Sequence, residues 1–341
     1  MMEMDLNTIW FVLIGVLFAG FFLLEGFDYG VGMVSMLATD DDTERRMMLR
    51  TITPVWDGNE VWMLTAGGAT FAAFPHVYAT MFSGMYLALF LMLIGLILRG
   101  VAFEFRDKLE DLKWRRLWDM AIFIGSALPA FLWGVAVANL VSGMKIDANM
   151  IYAGTFFDLL TPGTIIGGAA FLLVFAFHGA AYLNMRLGRY ALQEKIKALA
   201  LKLGLLAAVF YLMFAFGMYA CTGLLSTTMP LVLIVLAVIA FVAAMVLMKA
   251  GLYGGSFAGT AAAVLFTTAG IFGGLFPNIL ISSLNSAWSL NIYNASSTPY
   301  TLSIMTGAAC VFVPIVLIYQ GMAYWHFRGT ITEADIEGNH Y

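Results

Sequence analysis

Residues 7–37 read NTIWFVLIGVLFAGFFLLEGFDYGVGMVSML, a stretch whose only charged residues are Glu25 and Asp28. A helix crossing a hydrocarbon core about 30 Å thick needs about 20 mostly apolar residues. This stretch is long enough with length to spare. The residues before it are acidic (Glu3, Asp5) where a cleaved leader carries basic ones, and no small-residue cleavage pattern follows, so the sequence predicts a retained helix.

Comparable runs recur along the chain, at about 53–74, 77–105, 116–143, 160–186, 200–222, 228–249, 258–282 and 299–327. The expectation is an all-α polytopic membrane protein of about nine spans, forming one transmembrane domain over residues 1–341. Composition agrees: 62% of the 341 residues are hydrophobic and 11% charged, against about 25% charged in soluble domains. Disorder, a coiled coil and a disulfide scaffold are excluded on the same ground. A net charge of −4 without a basic block excludes nucleic acid as a partner. Cys221 and Cys310 fall in different apolar runs at different expected depths and are not expected to pair.

Basic residues set the orientation. Of the 17 Lys and Arg residues, only Lys145 falls on one side, while the rest gather between spans 1–2, 3–4, 5–6 and 7–8 and at the C-terminal end. The positive-inside bias predicts an outside N-terminus and a cytoplasmic C-terminus. The longest loops are expected at about 143–160, 187–199 and 283–298, with Asn291 to Thr298 outside.

A local pattern repeats at the cytoplasmic ends of inward-running spans: Glu25-Gly-Phe-Asp-Tyr29, Arg99-Gly-Val-Ala-Phe103, His178-Gly-Ala-Ala-Tyr182 and Gln320-Gly-Met-Ala-Tyr324. Glycine lets helices approach in lipid, and the polar neighbour is then expected to face protein. Duplicated helix units or coincidence both account for the pattern.

The acids of the first two spans carry the most information. Glu25 and Asp28 share a helix face by their spacing of three, and so do Asp57 and Glu60. All four are expected in the cytoplasmic half, with Arg99, Glu104 and Arg106 of the third span near the same depth as charge partners. An ionised acid at mid-membrane costs at least about 2.5 kcal/mol, so these need cations, water or protons. In one reading they pair with arginines and pin helices together. In the other, because acids outnumber nearby arginines, the group conducts protons.

Histidine is sparse: His76 at an outer mouth, His178 inside the fifth span, His326 beside Trp325, and His340 on the tail. Bis-histidine haem needs two ligands at matched depth on facing helices, and His178 alone is well inside. No His/Cys/carboxylate group has metal-ligand spacing, and the 22 methionines read as packing. Asp119 and Asp158 read as isolated acids near helix ends, and Trp56 as an interfacial anchor with Trp62 lying deeper.

The strings Glu25-Gly-Phe-Asp-Tyr-Gly-Val-Gly32, Pro54-Val-Trp-Asp-Gly-Asn-Glu-Val-Trp62 and Arg99-Gly-Val-Ala-Phe-Glu-Phe-Arg106, with Asp42-Thr-Glu-Arg-Arg46 and Trp114-Arg-Arg-Leu-Trp118, resemble subunit II of the cytochrome bd quinol oxidases. The resemblance covers the whole chain and is sharpest over 20–145. It implies a haem-bearing partner, subunit I, holding haem b and haem d, where quinol is oxidised near the outer face and O2 reduced to water. It also implies a haem-free subunit II in the bacterial cytoplasmic membrane, with two four-helix groups and one peripheral helix. By motif position, Glu25, Asp28, Asp57 and Glu60 would line a proton route from the cytoplasm, and Trp62 would lie near a lateral O2 path. A structural quinone in this subunit and a small third subunit are further features that the resemblance admits. Many relatives have Asp at the position of Glu25, a neutral amide at Glu60 and proline at Gly100. A proton-coupled carrier is the alternative that buried acids alone would also suit. A third reading keeps the oxidase partner but gives the acids no proton traffic.

Overall fold

The computed structural model describes residues 5–337; Glu3 and His340 lie outside the described residues. Among the described residues there are twelve α-helices: α1 (Leu6–Leu37), α2 (Asp42–Arg50), α3 (Trp56–Ala73), α4 (Pro75–Gly84), α5 (Tyr86–Phe105), α6 (Leu112–Ser142), α7 (Pro162–Arg186), α8 (Tyr190–Ala220), α9 (Thr228–Lys249), α10 (Tyr253–Leu275), α11 (Pro299–His326) and α12 (Ala334–Glu337). Eight of these are long and apolar enough to span a membrane. The other expected span is α3, whose 18 residues reach about 27 Å. It begins Trp-Asp-Gly-Asn-Glu and is therefore too polar to register on hydropathy alone.

Helix starts follow the capping residues. Asp5 accepts from the Thr8 N–H at 2.8 Å, Asp41 from Glu44 at 2.8 Å, and Thr161 from Thr164 at 3.2 Å ahead of Pro162. Two expected boundaries move. The run at 77–105 is two helices, broken at Met85 beside Gly84, which seats against the Tyr152 ring. The loop expected over 187–199 is helical from Tyr190 onward. Leu192, Ile196 and Ala200 recur every four residues on its buried face, a periodicity that mean hydropathy conceals.

One group packs α1, α3, α5 and α6, with α4 as the top of the α5 rod; the other packs α7, α8, α9 and α10. The two join where α1 and α6 lie against α7. At that seam a Cβ on Gly30 would sit 2.0 Å from the Phe175 carbonyl oxygen, and one on Gly179 2.4 Å from the Val31 nitrogen, so only glycine permits the contact. Pro129, inside α6, is accommodated against Gly95 of α5. Of the repeated glycines, Gly179 makes a backbone approach and Gly26 meets the Phe175 ring, Gly100 has only the Trp56 ring nearby, and Gly321 meets open space. Their polar neighbours do face protein: Glu25, Arg99 and His178 are fully buried and Gln320 is half-buried.

Helix α11 stands apart, with Leu302 its only buried residue. It touches the body at two polar points: the Trp10 indole donates to the Leu302 carbonyl and Thr306 near one end, and Gln320 and Tyr324 meet α3 near the other. The end opposite the basic residues is closed by a short antiparallel pair, β1 (Asn278–Leu280) and β2 (Leu290–Asn291), and by the segment after α6, where Met144 bridges to Ser282.

Candidate functional site

Three helices bring the acids together. Helix α1 supplies Glu25 and Asp28, α3 supplies Asn59 and Glu60, and α5 supplies Arg99. The Arg99 guanidinium, fully buried, uses its Nη2 to donate to both Glu25 Oε1 and Glu60 Oε1, the latter at 2.7 Å, and lies 4.7 Å over the Tyr29 ring. Asp28, also fully buried, receives no cation; it accepts from Asn59 Nδ2 at 2.7 Å. Asn59 Oδ1 in turn accepts from the Tyr324 hydroxyl at 2.7 Å and Gln320 Nε2 at 3.2 Å, and Gln320 Oε1 accepts from the Trp62 indole at 2.8 Å. Asp28, Asn59, Gln320 and Trp62 thus form one continuous hydrogen-bonded line from α1 across α3 to α11.

Three carboxylates face one guanidinium, so the site carries more negative groups than positive when all are ionised. Glu25 Oε2 and Asp28 Oδ1 are buried without any hydrogen-bond partner. Burying an ionised carboxylate half-satisfied is costly, and a proton on one of the oxygens or a bridging water relieves that cost. Proton exchange among neighbouring acids is the chemistry that such an arrangement permits.

Three of the expected site residues lie elsewhere. Asp57 is exposed and makes no hydrogen bond or ion pair among the described residues. It stands two residues from Asn59, about 200° around the helix by the 3.6-residue repeat, and so points away from Asp28. Glu104 is likewise exposed and unpaired among the described residues. Arg106 follows Arg99 by seven residues, about 10 Å farther along the rod, and belongs to a separate network. It donates to Asp119 at 2.6 Å, Asp42 at 2.6 Å and Asp107 at 2.9 Å, while Arg45 donates to Asp119 at 2.6 Å and Arg115 to Asp42 at 2.7 Å. Neither Asp119 nor Asp158 is isolated: Asp119 is clamped by two arginines, and Asp158 pairs with Lys145 at 2.7 Å. Depth along a helix was legible from spacing, but which arginine reaches which acid depends on the packing of α2 against α6.

Asn59, Gln320, Tyr324 and Tyr29 join the site without having been singled out as site residues. Asn59, Gln320 and Tyr29 sit in quoted motifs beside an acid or glycine and Tyr324 closes the Gln320-Gly motif; for Asn59, an amide at the start of an apolar helix was the available signal. At the basic end, Glu44 is buried and accepts from Lys195 at 2.8 Å and Thr39 at 2.5 Å. Burial raises its pKa, but these bonds and the Lys195 and Arg189 charges outweigh it and leave the carboxyl below its usual range.

His178 is unsuited as a haem ligand. Its Nδ1 bonds Thr260 at 2.6 Å, its Nε2 bonds the Leu23 carbonyl at 3.1 Å, and its ring stacks on Phe257 at 4.8 Å. Both nitrogens are already committed to α1 and α10. No group of three or more His, Cys, Asp or Glu side chains is placed for a metal ion among the described residues.

Toward the opposite end lies a cavity of about 440 Å³ with an almost wholly apolar lining, including Phe18, Met63, Gly67, Met92, Trp133 and Phe272. Met63 is one turn beyond Glu60 on α3, so the cavity begins just above the acids.

The comparisons with known proteins decide the assignment. Residues 6–327 match the family described as cytochrome bd terminal oxidase subunit II. The chain belongs to that family. It is 40% identical over 340 residues to subunit 2 of the cytochrome bd ubiquinol oxidase of Bacillus subtilis (strain 168), covering 97% of this chain and 98% of the relative. It is 37% identical to subunit 2 of the cytochrome bd-I ubiquinol oxidase of Escherichia coli (strain K12), covering 98% and 97% respectively. The fold is similar to that of a chain in the bd oxidase structure from Geobacillus thermodenitrificans, with a TM-score of 0.74 and 16% identity, over 94% of this chain and 99% of that one. As a cytochrome bd subunit II, the protein is a multi-pass bacterial membrane subunit of a terminal respiratory oxidase that works with a subunit I partner on quinol. This membership removes the carrier alternative.

Proposed function

We propose that this cytochrome bd subunit II supports the haem-bearing subunit and passes protons from the cytoplasm toward the site where they are consumed in making water. The route runs through Asp28, Glu25 and Glu60, with Arg99 holding the last two. The single observation behind it is the imbalance at Arg99: two carboxylates share one nitrogen of one guanidinium, and a third, Asp28, has only an amide partner. A group of acids built only to pin helices would be matched by cations. Asp57, on the exposed side of α3, stands outside this inner route and is assigned to the surface that meets the partner.

The basic end of the bundle faces the cytoplasm, following the positive-inside bias, so the acids lie in the cytoplasmic half and the apolar cavity in the outer half. Haem b and haem d belong to subunit I, consistent with the commitment of both His178 nitrogens. The partner seats on the apolar sides of α3 and α5, where Leu64, Phe90, Leu93 and Ile97 are exposed. Trp62, half-buried between α1 and α11, is assigned a place near the O2 path on the strength of its motif position alone. The cavity takes the isoprenoid tail of a structural quinone, its lining being apolar and its volume large enough for a chain of that kind.

The test is Asp28→Asn in the purified complex, with proton uptake followed during turnover. The amide keeps the size of the side chain and an acceptor for Asn59. Haem content is expected to be unchanged and uptake to slow at least about tenfold, equivalent to about 1.4 kcal/mol in the barrier. Unchanged uptake with intact haems would remove the proton role.

A further inference from the structure

Around Arg99, polar atoms are buried without partners in a way that the ion pairs of the acid cluster do not explain. A guanidinium has five N–H donors. Nη2 serves Glu25 and Glu60, while Nε and Nη1 of Arg99 have no acceptor among the described residues. Tyr29 OH, Ser126 Oγ and Trp133 Nε1 are also unpartnered, and so is Glu25 Oε2. Arg99, Tyr29 and Ser126 are at most 0% exposed and Trp133 is 9% exposed.

These groups share one wedge between α1, α5 and α6. The Arg99 carbon lies 4.7 Å over the Tyr29 ring, and Arg99 Cβ is against Gly125, the residue before Ser126. Ser126 Oγ in turn presses on α1 at Gly32, one turn beyond Tyr29. Trp133 packs on Phe21 at 5.2 Å, and Phe21 in turn meets the Tyr29 ring at 6.5 Å. Ser126 and Trp133, seven apart, lie on one face of α6 about 10 Å from each other. Buried polar groups in native proteins are satisfied by protein or by ordered water. The unmatched atoms here are three N–H nitrogens, two hydroxyls and one carboxylate oxygen, and none of them bonds another in this arrangement. Water, which accepts and donates two bonds each way, can bridge them.

We propose that a file of about three buried water molecules occupies this wedge along α6 from Ser126 past Arg99 to Trp133, bonded to Arg99 Nε and Nη1, Tyr29 OH and Glu25 Oε2. The count follows from a span of about 10 Å and a spacing of about 2.8 Å between hydrogen-bonded oxygens. The file gives a solvent partner to the Glu25 oxygen that Arg99 does not hold, and it ends at Trp133, which lines the apolar cavity. Its use as a branch of the proton route rests on the reading of the acid cluster; its existence does not.

The experiment is a density map of the intact oxidase complex at a resolution that shows ordered water, for the unaltered protein and for Tyr29→Phe and Ser126→Ala. The unaltered complex is expected to show separate peaks within hydrogen-bond distance of Arg99 Nη1 or Nε and of Tyr29 OH. Each variant is expected to lose the peak nearest its missing oxygen while the Arg99–Glu25 pair stays in place. Well-ordered side chains around an empty wedge overturn the inference, as do peaks that persist unchanged in both variants. Should Tyr29→Phe fail to assemble, the unaltered map and Ser126→Ala still decide. None of these readouts needs turnover, so a dry wedge refutes the water file alone, whereas normal proton uptake in Asp28→Asn refutes the acid route alone.

Discussion

Removing Arg99 tests the charge balance directly. In Arg99→Met the side chain keeps much of its apolar length, while Glu25, fully buried, loses its only cation. Breaking a buried pair from one side costs about 3–5 kcal/mol, because the remaining charge stays desolvated. Glu60 loses its partner too, but its side chain is 20% exposed, so that loss is discounted to about 0–1 kcal/mol. The second variant, Arg99→Met with Glu25→Gln, removes the stranded charge as well. Replacing both members of a buried pair by neutral groups is commonly near neutral, so stability is expected to return to within about 1–2 kcal/mol of the unaltered complex. With Glu25→Gln alone, the set forms a double-mutant cycle whose coupling isolates the Arg99–Glu25 contact. The assay is retention of the complex's haem absorbance during thermal titration, for all four proteins at one pH. The single variant is expected to unfold at the lowest temperature. A double variant no more stable than Arg99→Met would refute the reasoning, since the damage would then not pass through Glu25.

Other outcomes follow from local geometry. Gly30→Ala places a methyl 2.0 Å from the Phe175 carbonyl oxygen and should abolish or sharply reduce assembled complex, whereas Gly321→Ala meets open space and should leave the yield unchanged; blue-native gels of membranes compare them. In the loop between α6 and α7, hydrogen bonds from Lys145 and then from Thr155 hold the Asp158 carboxyl down at about 2. A depressed carboxyl contributes stability that is present above its unfolded value of 3.8 and lost as pH falls through the folded one. The Lys145–Asp158 tether should therefore survive at pH 4 and release as pH nears about 2. Pepsin cleavage between residues 144 and 160 should rise over that window, and Asp158→Asn should already be cleaved at pH 4.

Particular residues show where sequence reading reaches its limit. The pairing of Glu25 with Arg99 was legible, since both sit beside a repeated glycine at comparable depth in neighbouring spans. Asp57 was grouped with Glu60 by the same spacing rule, and the rule holds: the two share one side of α3. What it leaves open is the rotation of α3 about its axis. The packing of α1 against α3 turns Asn59 inward, leaves Glu60 at the margin and puts Asp57 outside. Arg106 was expected beside the acids because it ends the third span at a similar depth, yet Asp119 and Asp42 capture it farther along. Asp119 and Arg106 are near in sequence, but the contact with Asp42 and the clamp from Arg45 needed α2 folded against α6.

The number of apolar runs, the side on which the basic residues gather and the family followed from the sequence by itself, because the bilayer imposes length and polarity on each segment separately and long polar strings within apolar ones are distinctive. Helix α3 shows the reverse limit, being a polar rod that only its neighbours make tolerable. Tertiary structure alone decided which acids share Arg99, how Asn59 connects Asp28 to Gln320 and Trp62, and where buried donors are left without acceptors. The physical reason is that a helix's rotation is set by the close approach of its neighbours, at Gly30 and Gly179 above all. In hydrocarbon, a turn of about 100° exchanges a partnered carboxylate for a stranded one.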